Sequence, residues 1–413
     1  MASTILIAGT FDSKPDEFAY LRERILQHGC NVLTVNVGVM ESDSPFPIDV
    51  DAGVVASQGG SSLEDLRSAG DRGAAMKCMA SGLEKVCRNL FNEGKFDAMI
   101  GMGGSGGTSV VSAGMRSIPL GAPKVCLSTI AASDTSAILG SKDIVLIPSI
   151  TDVSGLNRIL RGRIDQAAAA VCGMAAVTHS QSTEETRADR PLIAASMFGN
   201  TTSCVERCRE LLDQQGYEVL VFHAVGSGGR TLETLVEDGY VEACLDLTTT
   251  EWADELCGGI FAAGTSRLSA AGRVGIPHLI APGCIDMVNF GPMETVPSRY
   301  RESGRLFYEW NPAVTLMRTN IEENRRLGEI FAKTANEAVG RIGFILPLKG
   351  VSILDGDGER FCDREADQAM FATLKQHLRA DIPVIEVDAN INDPVFAQTA
   401  VDTMLRWLQE PKP

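Results

Sequence analysis

Five glycines fall within seven positions of Gly101-Met-Gly-Gly-Ser-Gly-Gly-Thr-Ser109. The stretch follows an apolar run, Phe96–Ile100, and precedes Val110-Val-Ser-Ala-Gly-Met-Arg116, which reads as a helix. Glycine lets the backbone approach a ligand closely and tolerates positive φ. A helix N-terminus adds unpaired N–H groups and the positive end of a dipole. Gly103, Gly104, Ser105, Gly106, Gly107 and Thr108 are therefore expected to cradle a phosphate or carboxylate between a strand and a helix. The competing reading is a tight glycine turn with no ligand. The stretch lacks the Gly-Lys-Ser/Thr ending of a Walker A loop, and it is no clean GxGxxG with a ribose-binding acid downstream.

A second group, Gly9-Thr-Phe-Asp-Ser-Lys14, ends the first apolar run. Ligands of open α/β sheets bind off the carboxyl ends of strands, so this turn is expected beside the glycine stretch. Thr10 and Lys14 would then contact a phosphate, and Asp12 would hold Mg²⁺ through water. The alternative is that Asp12 or Ser13 only caps the next helix.

Further along, Phe222-His-Ala-Val-Gly-Ser-Gly-Gly-Arg-Thr231 is again a strand, a glycine turn and a helix. It carries His223 and Arg230. Asp246-Leu-Thr-Thr-Thr-Glu251 is a hydroxyl-rich turn with Glu251, and Asp286 opens Asp286-Met-Val-Asn-Phe-Gly291. His223, Arg230, Glu251 and Asp286 are candidates for binding an anionic metabolite and for acid–base catalysis. For His223 a satisfied core position is the alternative. Leu316-Met-Arg-Thr319 has no local reading, and Leu348–Asp355 looks like a loop and strand closing the second domain.

The elements that must position these groups repeat along the chain. Ile5–Thr10, a helical stretch Phe18–His28, Gly29 and Val32–Val37 are echoed by Leu192–Ser196, Val205–Gln215, Gly216 and Val219–His223. Each copy is a buried strand, a helix closed by glycine and a second buried strand, the pattern of a parallel sheet. Phe96–Ile100 is echoed by Ala243–Leu247, and Gly121–Cys126 by Gly275–Ile280. The fold class is therefore α/β, with two Rossmann-like doubly wound domains related by an internal repeat, over about 1–180 and 190–413. A polar linker at about 179–190 ends before Pro191. The Ala- and Gly-rich helix Leu156–Val177 packs either at an interface or in an ordinary core. A last helix is expected over Pro394–Leu408.

Composition bounds the function. The 413 residues carry 37 Lys+Arg against 53 Asp+Glu, a net charge of −16. This argues against nucleic-acid or anionic-membrane partners, which need a basic face, yet leaves room for a small anion held by backbone N–H groups. The 11 cysteines include no CxxC pair, and Cys204 and Cys208 have no histidine pair at zinc spacing. Free thiols in a reducing cytoplasm are expected. The N-terminus lacks a basic signal-peptide region, and Ala167–Val177 is too short to span a membrane.

Gly9-Thr10 with Asp12-Ser-Lys14, Gly101–Ser109, Phe222-His-Ala with Gly228-Gly-Arg230, Leu247–Glu251, Asp286–Pro292 and Leu316–Thr319 together resemble a known family. It comprises the N-terminal half of the tomato tobamovirus-resistance protein and bacterial stand-alone relatives. The resemblance implies two Rossmann-like domains, ATP bound in the first, and a homodimer or higher homo-oligomer. It brings no catalytic activity with it. The plant protein continues into a half resembling a TIM-barrel hydrolase, which this sequence lacks, so inhibition of viral replication is not expected here. A housekeeping or catabolic protein, working beside a separate barrel enzyme, is the expectation. ATP binding, with Mg²⁺ and a small anionic metabolite in the second domain, is the first functional reading. A catabolic enzyme on a phosphorylated or carboxylated metabolite in an interdomain cleft, without nucleotide, is the second. A protein-interaction module is the third.

Overall fold

Ile5-Leu-Ile-Ala8 is apolar at four consecutive positions, so a strand there needs cover on both faces. In the computed structural model, which describes residues 2–41, 43–181 and 190–410, β1 (Thr4–Gly9) has all four fully buried. Two compact units divide at Arg187/Ala188. The expected linker, about 179–190, lies largely outside the described residues.

The first unit runs β1, α1 (Pro15–Gln27), β2 (Asn31–Asn36), α2 (Ala52–Gln58), α3 (Leu63–Ala69), α4 (Arg72–Asn92), β3 (Ala98–Gly103), α5 (Ser105–Arg116), β4 (Lys124–Ser128), α6 (Ser136–Leu139), β5 (Ile144–Pro148) and α7 (Arg158–Gln181). Pro15 opens α1, where its missing N–H is no loss, and Gly29 at φ +79° turns the chain into β2. The sheet is fully parallel in the order β2-β1-β3-β4-β5. The order reverses between β1 and β3, and a ligand crevice belongs outside the carboxyl ends at such a point. Helix α7 is a core helix of this unit: Leu160, Ile164, Ala167, Ala168, Val171 and Ala175 are buried.

The second unit begins β6 (Leu192–Met197), α8 (Thr202–Gln214), β7 (Glu218–His223), α9 (Ser227–Glu237), β8 (Ala243–Thr248), α10 (Thr250–Cys257), α11 (Ala270–Val274) and β9 (His278–Gly283). A three-stranded antiparallel sheet is inserted next: β10 (Met287–Phe290), β11 (Phe307–Asn311) after α12 (Ser298–Arg301), and β12 (Val314–Arg318). Then come α13 (Ile321–Asn336), β13 (Ile342–Pro347), α14 (Arg364–His377), β14 (Val384–Val387) and α15 (Pro394–Gln409). The main sheet is parallel in the order β14-β13-β9-β8-β6-β7. With β6 counted as the first strand, this is the first unit's order plus one strand, so the repeat is topological as well as sequential.

One expected element is displaced. The closing strand precedes Leu348: β13 ends at Pro347, and 348–363 is irregular. Gly350 sits at φ +126°. Asp355 accepts from the Val351 N–H at 2.9 Å, and Ser352 Oγ from the Asp355 N–H at 3.1 Å, which replaces ladder bonds with turn bonds. This segment explains Leu316–Thr319. Arg318, 5% exposed, donates to the carbonyl of Phe361 (2.7 Å) and to Asp367 (2.7 Å) and Asp355 (3.2 Å). It ties β12 to the irregular loop and to α14, partners far along the chain that no local pattern announces.

Candidate functional site

The β3–α5 junction is tighter than a loop. The strand runs through Gly103 and the helix starts at Ser105, leaving Gly104 as N-cap. None of the glycines from 101 to 107 has positive φ, so conformational freedom is not their reason. Space is. A Cβ on Gly101 would stand 2.3 Å from Val111 Cγ1 and 2.9 Å from the Ala8 carbonyl oxygen, and one on Gly103 2.9 Å from Gly107 Cα. These two glycines let α5 lie against the sheet. Gly104, Gly106 and Gly107 meet nothing closer than 3.8, 3.2 and 3.6 Å. Gly101→Val is thus expected to cost about 3 kcal/mol or more through overpacking against backbone. Gly107→Ala, inside the helix with room for a methyl, should stabilise by about 0.4–1 kcal/mol. Urea denaturation followed by circular dichroism measures both; equal midpoints would show that packing does not distinguish these glycines.

The N–H groups of Ser105, Gly106 and Gly107 have no acceptor among the described residues, and the cap makes no side-chain bond. They border a cavity of about 630 Å³ lined also by the polar Thr10, Asp12, Ser13 and Lys14 and by the apolar Val37, Val39, Leu66, Met76, Met79 and Val110. The cavity lies outside the carboxyl ends of β1 and β3, the switch point of the sheet. The structure therefore brings Thr10, Asp12 and Lys14 to the same cavity as Gly104–Gly107, as the carboxyl-end rule for parallel strands leads one to expect. Asp12 is no helix cap. Its Oδ2 accepts from the Met40 N–H at 2.9 Å, while its Oδ1 is enclosed without a partner. Gly38 leaves the room for it, since a Cβ there would meet the carboxylate at 2.3 Å. Lys14 Nζ donates to the Val153 carbonyl.

Two expected contacts are corrected. Thr108 is fully buried, with its hydroxyl 3.2 Å from the Gly103 carbonyl and 2.7 Å from Ser128 Oγ. Gly103 is strand backbone under the helix. Neither lines the cavity. Arg67, Arg72, Met76 and Met79 do, and sequence reasoning missed them. They sit on α3 and α4, which come to α5 only through tertiary packing.

The second unit also departs from expectation. By strand order, as in the sequence repeat, the counterpart of the glycine stretch is the turn after β8. That counterpart is closed: Thr248, Thr249, Thr250 and Glu251 are all buried. Glu251 is committed to the fold. Its Oε1 accepts from the N–H groups of Gly226 (2.7 Å) and Gly229 (3.1 Å) at the start of α9, and its Oε2 from Arg267 Nε at 2.6 Å. The α9 N-terminus is thus already occupied by the protein's own carboxylate. His223 is exposed, so it is no core histidine; its ring lies 5.3 Å from that of Phe198. Arg230 is exposed and donates to the Ala262 carbonyl at 3.1 Å. Asp286 is fully buried, with Oδ2 accepting from Ser352 Oγ at 2.9 Å. Burial pushes its carboxyl up to about 6, against the pull of Arg318.

All 11 cysteines are free. Cys244, Asp246 and His278 cluster with metal-ligand chemistry, but the positive charge there is supplied by Arg267, which donates to both Asp246 oxygens. Among the described residues no helix is long and apolar enough to cross a membrane.

Comparison with known proteins places the chain. Residues 3–180 match the N-terminal domain, and 190–408 the C-terminal domain, of the "Uncharacterised protein family (UPF0261)". The chain belongs to UPF0261. A UPF0261 protein of Clostridium tetani is 42% identical over 411 residues, covering 99% of this chain and 100% of the relative. One from Mesorhizobium japonicum is 40% identical over 396 residues, covering 95% and 96%. The tomato (Solanum lycopersicum) ToMV resistance protein Tm-1 is 36% identical over 420 residues, covering 97% of this chain and 55% of the tomato protein. The matching UPF0261 domains coincide with the two units of the structure.

Proposed function

We propose that the first unit of this UPF0261 protein binds a nucleotide, ATP in the first instance. The phosphates lie on the N–H groups of Ser105, Gly106 and Gly107, and the nucleoside lies against Met76, Met79 and the valines. One observation carries the reading: a cavity of about 630 Å³ at the switch point of a parallel sheet, lined both by residues with unpaired backbone donors and by apolar side chains. Ligand sites span roughly 300–1,000 Å³ and pair apolar walls with a few placed polar groups. The second unit offers an internal precedent, since the α9 N-terminus there holds a carboxylate through two N–H groups. ATP itself follows from the resemblance noted above. Mg²⁺ would sit by water beside Asp12, whose Oδ1 is unpartnered.

A small phosphorylated or carboxylated metabolite would use the same donors but leave the apolar wall uncovered, so the nucleotide is favoured. Titration calorimetry with MgATP tests this. Saturable heat is expected, with affinity falling at least about tenfold in Gly104→Val/Gly106→Val. A Cβ at Gly104 meets nothing closer than 3.8 Å and one at Gly106 only the ends of the Arg72 and Met76 side chains, and the melting temperature of the unliganded variant checks that the fold is kept. Absence of heat, or unchanged binding in the variant, overturns the reading. Thermal shifts with sugar acids but none with ATP would favour the metabolite.

A further inference from the structure

Three cations line the cavity of the first unit: Lys14, Arg67 and Arg72. Two are spent on the protein. Lys14 Nζ donates to the Val153 carbonyl. Arg67 Nε donates to the Val39 carbonyl at 2.6 Å, and its Nη1 lies 3.6 Å from Glu41. Arg72 alone of the three has neither a hydrogen-bond nor an ion-pair partner among the described residues. Its backbone is well anchored: it is the first residue of α4, whose cap Asp71 accepts from the N–H groups of Gly73 (2.8 Å) and Ala74 (3.0 Å). From there the guanidinium reaches over the first turn of α5. Arg72 Nη2 stands 3.2 Å from the point a Cβ on Gly106 would occupy, with Met76 Sδ and Cε 3.5 Å from the same point. A fork of five N–H donors thus stands beside Gly106, within the turn that carries the three unpaired backbone N–H groups, and next to Met76 in the lining of the same cavity. A polyphosphate offers charge in two places, one for the backbone donors and one for the fork. A monophosphate offers it in one.

We propose that Arg72 contacts the outer phosphates of the nucleotide and makes the site selective for di- and triphosphates over monophosphates and nucleosides. The proposal rests on the nucleotide reading of the same cavity. Arginine suits the role because its planar fork binds phosphate oxygens in pairs. A guanidinium is also more weakly hydrated than an ammonium, so it gives up less hydration on pairing.

Calorimetry on the full chain with ATP, ADP, AMP and adenosine at fixed Mg²⁺ tests it, using the parent, Arg72→Gln and Arg72→Lys. The parent should bind ATP and ADP more tightly than AMP. Arg72→Gln should weaken ATP by about 10- to 100-fold and AMP by no more than about threefold, so that the preference collapses. Arg72→Lys should restore part of it, as a point charge without the fork. The unliganded melting temperature should stay that of the parent, because no partner is lost. A parent that binds ATP while Arg72→Gln keeps the ATP-to-AMP preference overturns the assignment to Arg72 and leaves the nucleotide reading intact. An equal loss for ATP and AMP overturns the selectivity. A parent that binds no adenine nucleotide overturns the underlying reading, and this proposal with it.

Discussion

Arg267→Ala is expected to unfold the second unit. Arg267 is 1% exposed and is the shared counter-ion of three buried carboxylates. It meets Asp246 through Nη1 (3.0 Å) and Nη2, Glu251 through Nε at 2.6 Å, and Glu233 through Nη1 at 3.0 Å. Burial pushes Asp246 up, but Arg267 and His278 outweigh it and hold that carboxyl well below the usual range. Removing one partner of a buried pair costs about 3–5 kcal/mol because the other charge stays buried without compensation. Here three acids lose their cation together, and a domain's whole stability is only about 5–15 kcal/mol. The anchoring of α9 fails as well, since Glu251 reaches Gly226 and Gly229 from this cluster. Arg267→Met should fare little better, because the acids remain. All three tryptophans, Trp252, Trp310 and Trp407, lie in the second unit, and the Trp252 indole donates to the Arg267 carbonyl at 3.1 Å. Their fluorescence in a urea titration reads the outcome. A midpoint near the parent's would show that the cluster is not held by Arg267.

The second large effect is pH-dependent stability with an unusual sign. Asp254 is buried, and burial pushes its carboxyl up to about 7 despite N–H donors from Asn289 (2.6 Å) and Phe261 (2.8 Å). Asp286 and Asp355 are likewise raised, first by burial; Asp286 and Asp367 add repulsion on Asp355, and Asp367 on Asp286, which Arg318 offsets only in part. A carboxyl with a folded pKa above its unfolded 3.8 binds protons more tightly when folded. Its contribution is fully present below about pH 4 and is lost as pH rises through the folded value. Asp246 has the opposite sign, and its contribution is lost only as pH falls below 3.8. Between about pH 5 and 8 the raised groups govern, so the second unit should lose on the order of a few kcal/mol. The urea midpoint from tryptophan fluorescence should fall over that range. A flat or rising midpoint would show that these acids are ionised at no cost.

The repeat was legible because each copy has to build the same buried strand, glycine-closed helix and buried strand. Consecutive apolar residues such as Ile5–Ala8 leave no other solution. The turn after β1 and the glycine stretch were legible as neighbours for the same reason: a parallel sheet puts ligand turns at one end. Not every glycine of the stretch serves the site. Gly101 and Gly103 are glycines for packing, which only the distances to Val111 and Gly107 reveal. Glu251 looks like a site residue in the sequence because hydroxyl-rich acidic turns read alike whether they face solvent or cap a neighbouring helix.

By itself, then, the sequence determined two α/β units of one topology, the placing of Thr10–Lys14 and Gly104–Gly107 at the end of the first sheet, and the family. Those follow from periodicity and chain direction, which are local properties. Tertiary structure decided which groups remain free. Thr108 turned inward to Ser128, Glu251 was taken by Gly226, Gly229 and Arg267, and Lys14 was drawn to Val153, while Arg72 was left over Gly106. Each outcome depends on a partner brought near only by packing, since burying a polar group requires a bond from whatever element lies against it.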